Sequence, residues 1–227
     1  MEKIILTGAC GFIGFNFAKS LPENIEIIGI DSLNDAYDPK LKYIRLNELK
    51  KLNNFNFIEL NLSEKNNLEN NTKYFKDSDI VLHLGARAGV RQSYLEPSKY
   101  IDDNTSATTN LAMVSKELGI NRFIVASTSS IYGDTGDKFA VENQDELADP
   151  PSIYAATKKS NELMAKVYSN LFSLNTTGLR FFTVYGPWGR PDMGYYTFTR
   201  KILNDEIIEV YDNGKVERDF TYIDDII

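Results

Sequence analysis

Three glycines that follow the first apolar run of the chain place the strongest constraint on its fold. Residues 3–7 form an apolar run with β-branched residues, which predicts a buried strand, and the segment from Gly8 through Gly11 to Gly14 opens a predicted helix at residues 12–20. The first glycine permits a tight turn, the second lets a phosphate group approach the backbone, and the third lets the helix pack on the strand. A glycine trio alone also fits a flexible turn. Between a strand and a helix it predicts a dinucleotide-binding turn, with the anion at the helix N-terminus.

Short apolar runs and helical segments alternate along the rest of residues 1–182. We predict strands at 26–30, 55–60, 79–84, 122–127 and 176–182, helices at 39–51, 97–118 and 152–172, and an acidic, turn-rich loop at 133–151. This alternation predicts an α/β fold, a Rossmann-type doubly wound parallel sheet covered on both faces. After Phe182 the pattern changes to a loop rich in Gly, Pro and aromatic residues, followed by a short helix and short strands.

The composition argues against several partners and compartments. The 227 residues carry a net charge of −7, so binding to nucleic acid through its phosphates is not expected. No apolar run approaches the ~18 residues of a membrane span, and the N-terminus has no signal-peptide layout. The single cysteine, Cys10, cannot form an internal disulfide and fits a reducing compartment. We therefore expect a cytoplasmic protein without nucleic-acid or membrane partners.

Asp31 indicates which dinucleotide such a fold would hold. It ends the second predicted strand, 17 residues after Gly14, where a carboxylate can accept hydrogen bonds from ribose hydroxyls. Because a carboxylate there would repel a 2′-phosphate, we predict NAD rather than NADP as the cofactor. We expect Cys10 to fill space rather than react, and His83 to be packed and hydrogen-bonded rather than a general base. No spacing of His, Cys, Asp or Glu suggests a metal site.

Tyr154 and Lys158 lie one helical turn apart in the predicted helix at 152–172. A helical wheel places the pair at the border between a polar face, which includes Glu162, and an apolar stripe expected to face the core. The stripe consists of Ser160, Met164, Val167, Tyr168 and Leu171. A positive charge near a phenol lowers its pKa, so the pair could supply a general base in a cleft. An ordinary surface pair, with the lysine reaching into water, fits the border equally well.

Three hydroxyl residues, Thr128, Ser129 and Ser130, follow the fifth predicted strand. Ligands of open parallel sheets bind at the carboxyl ends of the strands, so these hydroxyls are candidates for a binding site. The alternative is a turn or capping cluster. Since the glycine turn and the Tyr154–Lys158 pair are also present, we favour the binding site.

Together these segments resemble the extended short-chain dehydrogenase/reductases, in the NAD-dependent epimerase/dehydratase family. The resemblance covers the whole chain through the segments TGACGFIG, HLGARAGVR, STSSIYG, YAATK, LRFFTVYGPWGRPDM and RDFTYIDD. The last two are specific, and are most similar to those of UDP-glucuronate 4-epimerases, with UDP-glucose 4-epimerases as near relatives. The resemblance implies NAD as the cofactor and a UDP-sugar as the substrate. It also implies a homodimer formed through the predicted helices at 97–118 and 152–172.

The resemblance implies roles for individual residues as well. Tyr154 would take the proton of the sugar 4-hydroxyl while the C4 hydride passes to NAD. Lys158 would bind the nicotinamide ribose and lower the tyrosine pKa, and Thr128 would hydrogen-bond the 4-oxygen. The expected cofactor-binding residues are Gly8, Gly11, Phe12, Ile13, Gly14, Asp31, Leu84, Ala86, Asn104, Tyr154 and Lys158. The expected substrate-binding residues are Arg91, Ser129, Ser130, Thr183, Arg190 and Arg218.

Among these, three residues near the C-terminus would recognise the charged parts of the substrate. Arg218 matches an arginine that grips the diphosphate, and Thr183 and Arg190 match residues near the sugar carboxylate. A guanidinium pairs bidentately with a carboxylate, so a uronic acid makes chemical sense. The alternative for Arg190 is a surface arginine in a loop.

Positions that separate the relatives favour epimerase chemistry. The 4,6-dehydratases have Asp-Glu after the threonine, and UDP-glucuronate decarboxylases have Glu two positions after it, whereas here Ser129 and Ser130 follow Thr128. Two departures stand out. Asn61 replaces an Asp that is usual near the adenine. Arg87 stands where glucuronate epimerases usually have Gln, which adds a positive charge close to the cofactor loop.

We therefore expect an NAD-binding domain at residues 1–182 and the start of a sugar-nucleotide-binding lobe at 183–227, which stops early relative to the resembled proteins. The favoured function is an isomerase that converts UDP-glucuronate to UDP-galacturonate through a transient 4-keto sugar. Two alternatives stay open: a shortened NAD-binding protein without turnover, and an epimerase for neutral UDP-hexoses.

Overall fold

A six-stranded parallel sheet forms the centre of the first part of the chain. The computed structural model describes residues 2–133, 140–142, 149–215 and 217–227. The strands are β1 (Glu2–Thr7), β2 (Ile25–Asp31), β3 (Phe55–Glu59), β4 (Ile80–His83), β5 (Arg122–Thr128) and β6 (Asn175–Phe181). Their order is β3-β2-β1-β4-β5-β6, with every neighbouring pair parallel. This order confirms the predicted Rossmann-type α/β fold, and every strand end lies within one residue of its predicted position.

Seven α-helices accompany these strands among the described residues. They are α1 (Phe12–Ser20), α2 (Pro39–Leu49), α3 (Lys65–Asn70), α4 (Val90–Leu95), α5 (Pro97–Tyr100), α6 (Ala107–Glu117) and α7 (Ile153–Phe172). The short helices α3 and α4 were not predicted, and the predicted loop at 133–151 lies mostly outside the described residues. Within the described part of the chain, no helix combines the length and apolar character needed to cross a membrane.

The prediction of one continuous α-helix at 97–118 is wrong in its middle. Between α5 and α6, residues Ile101–Ser106 form a π-helix. Asn104, inside this segment, is fully buried, and its side chain hydrogen-bonds the loop that follows β4. A π-helical turn widens the backbone at a site of this kind. The periodicity of the segment does not encode that tertiary contact.

Two apolar layers hold the helices on the sheet, because successive strand side chains point to opposite faces. On one face Ile5 of β1 belongs to the same buried cluster as Leu111 of α6. On the other face Leu6 of β1 belongs to a second cluster with Phe15 of α1. The strand order reverses between β1 and β4, which opens a crevice at the carboxyl ends of these two strands.

The helix α7 turns a different face to the core from the one its apolar stripe predicts. It begins after Ser152, whose hydroxyl accepts a hydrogen bond from the Ala155 amide at 3.1 Å. Lys158 is buried on the inner face, whereas Val167 and Leu171 of the predicted stripe are 49% and 70% exposed. The predicted stripe is therefore wrong for these two residues. On the inner face, Lys158 hydrogen-bonds β5 and Thr157 hydrogen-bonds the π-helix, and these contacts decide the orientation of α7.

The remaining described residues form a second compact unit, from Phe182 to Ile227. In it, β7 (Thr183–Tyr185) pairs in parallel with β8 (Phe220–Tyr222), and α8 (Gly194–Leu203) lies between them in the sequence. The short helix and short strands expected after Phe182 are thus present. That the first unit binds NAD and the second a sugar nucleotide stays a prediction.

The glycine turn after β1 leaves no room for a side chain at two positions. Gly8 has a φ of +68°, and a Cβ there would lie 2.8 Å from the amide nitrogen of Gly85, in the loop after β4. A Cβ at Gly14 would overlap the carbonyl oxygen of Gly8. The turn therefore depends on close backbone contacts between β1, α1 and the loop after β4.

We expect Gly14→Ala to lower the free energy of unfolding by about 1–3 kcal/mol, because the new methyl group forces α1 away from the turn. Urea denaturation followed by circular dichroism measures the change. Gly178→Ala, in β6 of the same unit, is the control, since its Cβ would have only an ordinary contact at 3.7 Å with Glu162. Equal stability of the Gly14→Ala and Gly178→Ala variants would contradict the packing role of Gly14.

Candidate active site

The carboxylate of Asp31 ties the glycine turn to the end of β2. It accepts hydrogen bonds from the backbone amides of Cys10 at 3.1 Å and Leu33 at 2.9 Å, and the ammonium of Lys42 lies 3.5 Å away. Asp31 thus lies beside the glycine turn, at the carboxyl edge of the sheet, as an NAD-ribose ligand would. Burial, and then the Asp31 charge, raises the pKa of the Cys10 thiol far above its usual range. Cys10 is fully buried and stays protonated at neutral pH, which agrees with the expected space-filling role.

A directed chain of hydrogen bonds connects the loop after β4 to the π-helix through His83. The Gly85 amide donates to Thr7 Oγ1 at 3.0 Å, and the Thr7 oxygen lies 2.6 Å from His83 Nδ1. On the other side, His83 Nε2 lies 2.9 Å from Thr108 Oγ1, which itself donates to the Asn104 carbonyl at 2.6 Å. Thr108 therefore accepts from the Nε2–H tautomer, and Thr7 donates to Nδ1. Burial, and then the charge of Lys158, lowers the His83 pKa to about 3. The prediction that His83 is packed and hydrogen-bonded is confirmed.

Asn104 joins the loop after β4 to α7. Its side-chain oxygen accepts from the Arg87 amide at 2.7 Å, and its side-chain nitrogen donates to the Arg87 carbonyl and to Thr157 Oγ1, both at 3.0 Å. Thr157 directly precedes Lys158. The geometry therefore gives Asn104 a positioning role for a loop that contains Leu84 and Ala86. Direct contacts of Leu84, Ala86 and Asn104 with a cofactor stay predictions.

Lys158 is buried in the centre of the inner face of α7, and not at its border as the helical wheel predicted. The residue is 3% exposed, and its ammonium donates to the Ala126 carbonyl of β5 at 3.1 Å. Burial lowers its pKa to about 8. Tyr154, one turn earlier, is half-buried, with the ring of Tyr100 edge-on at 6.3 Å between centroids. An ammonium fixed one turn from a half-exposed phenol can favour the phenolate form of that phenol.

Thr128 ends β5, two residues after the carbonyl that holds Lys158. Its hydroxyl accepts from the Ser130 amide at 3.2 Å and donates to Ser130 Oγ at 3.2 Å, and so caps the short 3₁₀ turn Ser129–Tyr132. The capping alternative is therefore present in the geometry. Ser129 and Ser130 are half-buried at the same carboxyl edge of the sheet. Contact of the three hydroxyls with a substrate stays a prediction.

An ion pair that the sequence did not suggest braces β6 against α7. Arg180 of β6 donates through Nε and Nη2 to both carboxylate oxygens of Glu162, at 3.0 and 2.8 Å, and Ser127 of β5 donates to the same carboxylate. The helical wheel put Glu162 on the polar face in water, which is wrong, because its partner comes from a strand that is distant in sequence. The pair fixes α7 next to the end of β5.

The other four expected substrate ligands lie on α4 and in the second unit. Arg91 is exposed on α4 of the first unit. In the second unit, the Thr183 amide donates to the Asp219 carbonyl at 3.2 Å. Arg190 donates through Nε and Nη2 to the carboxylate of Asp192, at 3.0 and 2.5 Å, and the exposed Arg218 donates to the Glu217 carbonyl at 2.6 Å. Substrate contacts of these four residues stay predictions.

The residues of the first unit fit a dinucleotide. The glycine turn leaves Gly8 and Gly11 partly exposed, and it opens the nine-residue helix α1, whose N-terminus favours an anion. The Asp31 carboxylate at the next strand end can accept from ribose hydroxyls. Among the described residues, no group of three or more His, Cys, Asp or Glu side chains is arranged to hold a metal ion.

Comparisons with known proteins place the chain near one family of enzymes. Residues 4–227 match the model of the NAD dependent epimerase/dehydratase family. The chain is 48% identical to Protein CapI of Staphylococcus aureus, over 99% of the chain and 67% of that protein. It is 44% identical to a UDP-glucuronate 4-epimerase of Thermodesulfobacterium geofontis, over 100% of the chain and 69% of that enzyme. The crystal structure of UDP-glucuronic acid 4-epimerase from Bacillus cereus, in complex with UDP-glucuronic acid and NAD, superposes with a TM-score of 0.91 at 35% identity. This match covers 99% of the chain and 70% of the enzyme. The chain thus spans about two thirds of the length of these relatives.

The burial of Lys158 predicts a specific pH dependence of stability. Its pKa is about 8 in the folded protein and 10.5 when exposed. Between these values the unfolded chain keeps a proton that the folded protein has lost, so stability rises with pH. We expect the free energy of unfolding of the ligand-free protein to gain about 3 kcal/mol from this group across that window. Urea denaturation at a series of pH values measures the gain.

Lys158→Met should lack this rise, because no proton is exchanged at the site. Lys166→Met, at an exposed position of α7, should keep it and serves as the control. The same pH dependence in the wild-type protein and in Lys158→Met would contradict the assignment.

Proposed function

The chain belongs to the NAD dependent epimerase/dehydratase family, and from this premise we propose that it is a nucleotide-sugar 4-epimerase that converts UDP-glucuronate to UDP-galacturonate. NAD is the cofactor. When bound, it would accept a hydride from C4 of the sugar and, after the 4-keto sugar has rotated, return it to the opposite face of C4. The observation that carries the proposal is the buried Lys158 ammonium, fixed on β5 one helical turn from the phenol of Tyr154.

The residues around this pair have separate tasks in the proposed reaction. Tyr154, as phenolate, takes the proton of the 4-hydroxyl and gives it back when the 4-keto sugar is reduced. Lys158 stabilises the phenolate by its charge. Thr128, at the end of β5, donates or accepts a hydrogen bond at the 4-oxygen. Positioning of these groups by packed elements supplies much of the rate in such a reaction.

The residues after Thr128 favour epimerisation over elimination. Ser129 and Ser130 occupy the positions where the resembled 4,6-dehydratases have Asp and Glu, and a hydroxyl is a poor general acid or base at neutral pH. Ser130 also stands where the resembled UDP-glucuronate decarboxylases have Glu, so neither elimination nor loss of the C6 carboxylate would be assisted, and the keto sugar would be reduced again at C4. The product is then the C4 epimer.

The second unit would supply recognition of the uronic acid. In our proposal the sugar carboxylate takes the place of Asp192 on the guanidinium of Arg190, with Thr183 beside it, and Arg218 binds the diphosphate. Support comes from the fork geometry of Arg190, which already pairs bidentately with a carboxylate. The relatives named for UDP-glucuronate support the same substrate. The alternatives remain a neutral UDP-hexose and NAD binding without turnover.

The protein, incubated with NAD and UDP-glucuronate but no added reductant, is expected to form UDP-galacturonate. Tyr154→Phe should lower kcat by about 10²–10⁴-fold, the usual range for a positioned acid–base group. Anion-exchange chromatography of the sugar nucleotides measures both rates. The control is Tyr168→Phe, on the same helix, where the ring packs on Phe172 at 5.4 Å between centroids. It should keep wild-type activity.

The outcomes distinguish an epimerase for UDP-glucuronate, an epimerase for neutral UDP-hexoses and an NAD-binding protein without turnover. Turnover of UDP-glucose without turnover of UDP-glucuronate would reject the carboxylate assignment. Bound NAD without turnover of either sugar would favour the NAD-binding alternative. Full activity of Tyr154→Phe would remove the proposed base.

We also propose that the protein forms a homodimer through α7. Leu163, Val167 and Leu171 are exposed and repeat at intervals of four residues, so they form one apolar stripe along the helix. A two-fold axis would bring the stripe against the same stripe of a second copy, since such an interface is self-complementary. This arrangement removes the apolar side chains from water without using the inner face that holds Lys158.

Light scattering coupled to size-exclusion chromatography is expected to give a dimeric mass for the wild-type protein. Val167→Glu should shift the mass to that of a monomer, because it would bury two charges near the two-fold axis. Lys166→Glu, next to the stripe on the exposed polar side, should stay dimeric. A monomeric wild-type protein, or a dimer unaffected by Val167→Glu, would reject this interface.

A further inference from the structure

A buried arginine in the first unit is surrounded by three carboxylates that belong to different segments. The side chain of Arg87 is 6% exposed. Its Nε donates to Asp103 at 2.9 Å, its Nη2 donates to Asp35 at 3.2 Å, and its Nη1 lies 4.0 Å from Glu96. Each guanidinium nitrogen therefore faces a carboxylate of the protein, so the added charge that the sequence showed at this position is neutralised locally.

The three segments joined by Arg87 border the candidate dinucleotide site. Arg87 lies in the loop after β4, which contacts the glycine turn through Gly85. Asp35 lies in the segment after β2, four residues beyond Asp31, and Asp103 lies in the π-helix. The cluster thus connects the segment that follows β2 to the loop that follows β4.

A chain of polar contacts continues from this cluster to Asp31. Asn34 donates to Asp103 at 3.4 Å and accepts from the Lys42 ammonium at 2.7 Å, and Lys42 in turn pairs with Asp31 at 3.5 Å. The carboxylate expected at the ribose and the guanidinium of Arg87 are therefore linked through three side chains. If the segment after β2 moved away and exposed the ribose position, the contacts of Asp35 with Arg87 and of Asn34 with Asp103 would break.

We propose that Arg87 is a positioning residue that clamps the segment after β2 to the loop after β4 and thereby slows the release of NAD. The inference rests on the proposed binding of NAD at the glycine turn. An enzyme that oxidises a sugar and then reduces it again must keep the same cofactor until the keto sugar has been reduced. Opening the clamp leaves a buried guanidinium with fewer partners, which is unfavourable, so the closed arrangement persists.

The competing role for a buried arginine near a dinucleotide is a direct bond to its pyrophosphate. The two roles predict opposite effects when a carboxylate partner is removed. Asp103→Asn weakens a clamp and should speed NAD release. If Arg87 bound phosphate directly, Asp103→Asn would free the guanidinium for the phosphate and slow release.

The test is the rate at which the full chain, loaded with radiolabelled NAD, loses the label to an excess of unlabelled NAD. Arg87→Gln and Asp103→Asn should each release NAD at least about tenfold faster than the wild-type protein. The double variant should release NAD more slowly than the product of the two single effects would give, because both substitutions remove the same contact between Arg87 and Asp103. The control is Arg122→Gln, an exposed arginine at the start of β5 and so at the opposite edge of the sheet. It should release NAD at the wild-type rate.

Because substitution of the buried Arg87 could unfold the protein, a second variant changes its exposed partner instead. Asp35 has a side chain 72% exposed, so Asp35→Asn should fold normally and still release NAD faster than the wild-type protein. Wild-type release rates in Arg87→Gln and Asp35→Asn would overturn the clamp, as would slower release in Asp103→Asn. A wild-type protein that binds NAD but epimerises no sugar would overturn the proposed function and leave the clamp to be decided by these rates. A wild-type protein that binds no NAD would overturn both.

Discussion

The burial of the Lys158 ammonium between α7 and β5 is the constraint on which the other parts of the site depend. A charge taken out of water needs hydrogen-bond partners, and the Ala126 carbonyl supplies one at a fixed position on the sheet. This contact sets the rotation of α7. Since Tyr154 lies one turn earlier on the same helix, its phenol is placed by the same contact. The apolar residues of the opposite face are then left pointing outward.

The same framework extends from α7 to the cofactor turn without a break. The Asn104 side chain donates to Thr157 Oγ1 and also hydrogen-bonds the backbone amide and carbonyl of Arg87. Through Asp103 and Asp35, Arg87 then joins its own loop to the π-helix and to the segment after β2. The hydrogen bonds of His83 add a second path to the loop at Gly85. In the proposed reaction the phenol and the cofactor must keep their relative positions while the 4-keto sugar rotates between the two hydride transfers, and a framework of buried polar contacts serves that need.

Local sequence patterns were sufficient for the sheet and the glycine turn, and insufficient for the contacts between distant segments. The strands β1, β2, β4 and β5 are short apolar runs whose side chains are mostly buried, so each could be located from its own residues. The geometry at Gly8 and Gly14 likewise follows from the lack of a Cβ. By contrast, the π-helix, the inner face of α7 and the burial of Glu162 depend on Arg87, Ala126 and Arg180, which are remote in sequence. A helical wheel weighs only hydrophobicity, and here polar contacts decided the orientation.

In the proposed reaction the hydride removed from C4 returns to the same carbon from the cofactor and never from water. The most direct test is epimerisation of UDP-glucuronate in D₂O, followed by proton NMR of the UDP-galacturonate product. We expect protium at C4, because solvent exchanges only with the hydroxyl proton that Tyr154 takes and returns. Deuterium at C4 of the product would mean that the carbon was deprotonated and reprotonated from water, and would rule out return of the hydride from the cofactor.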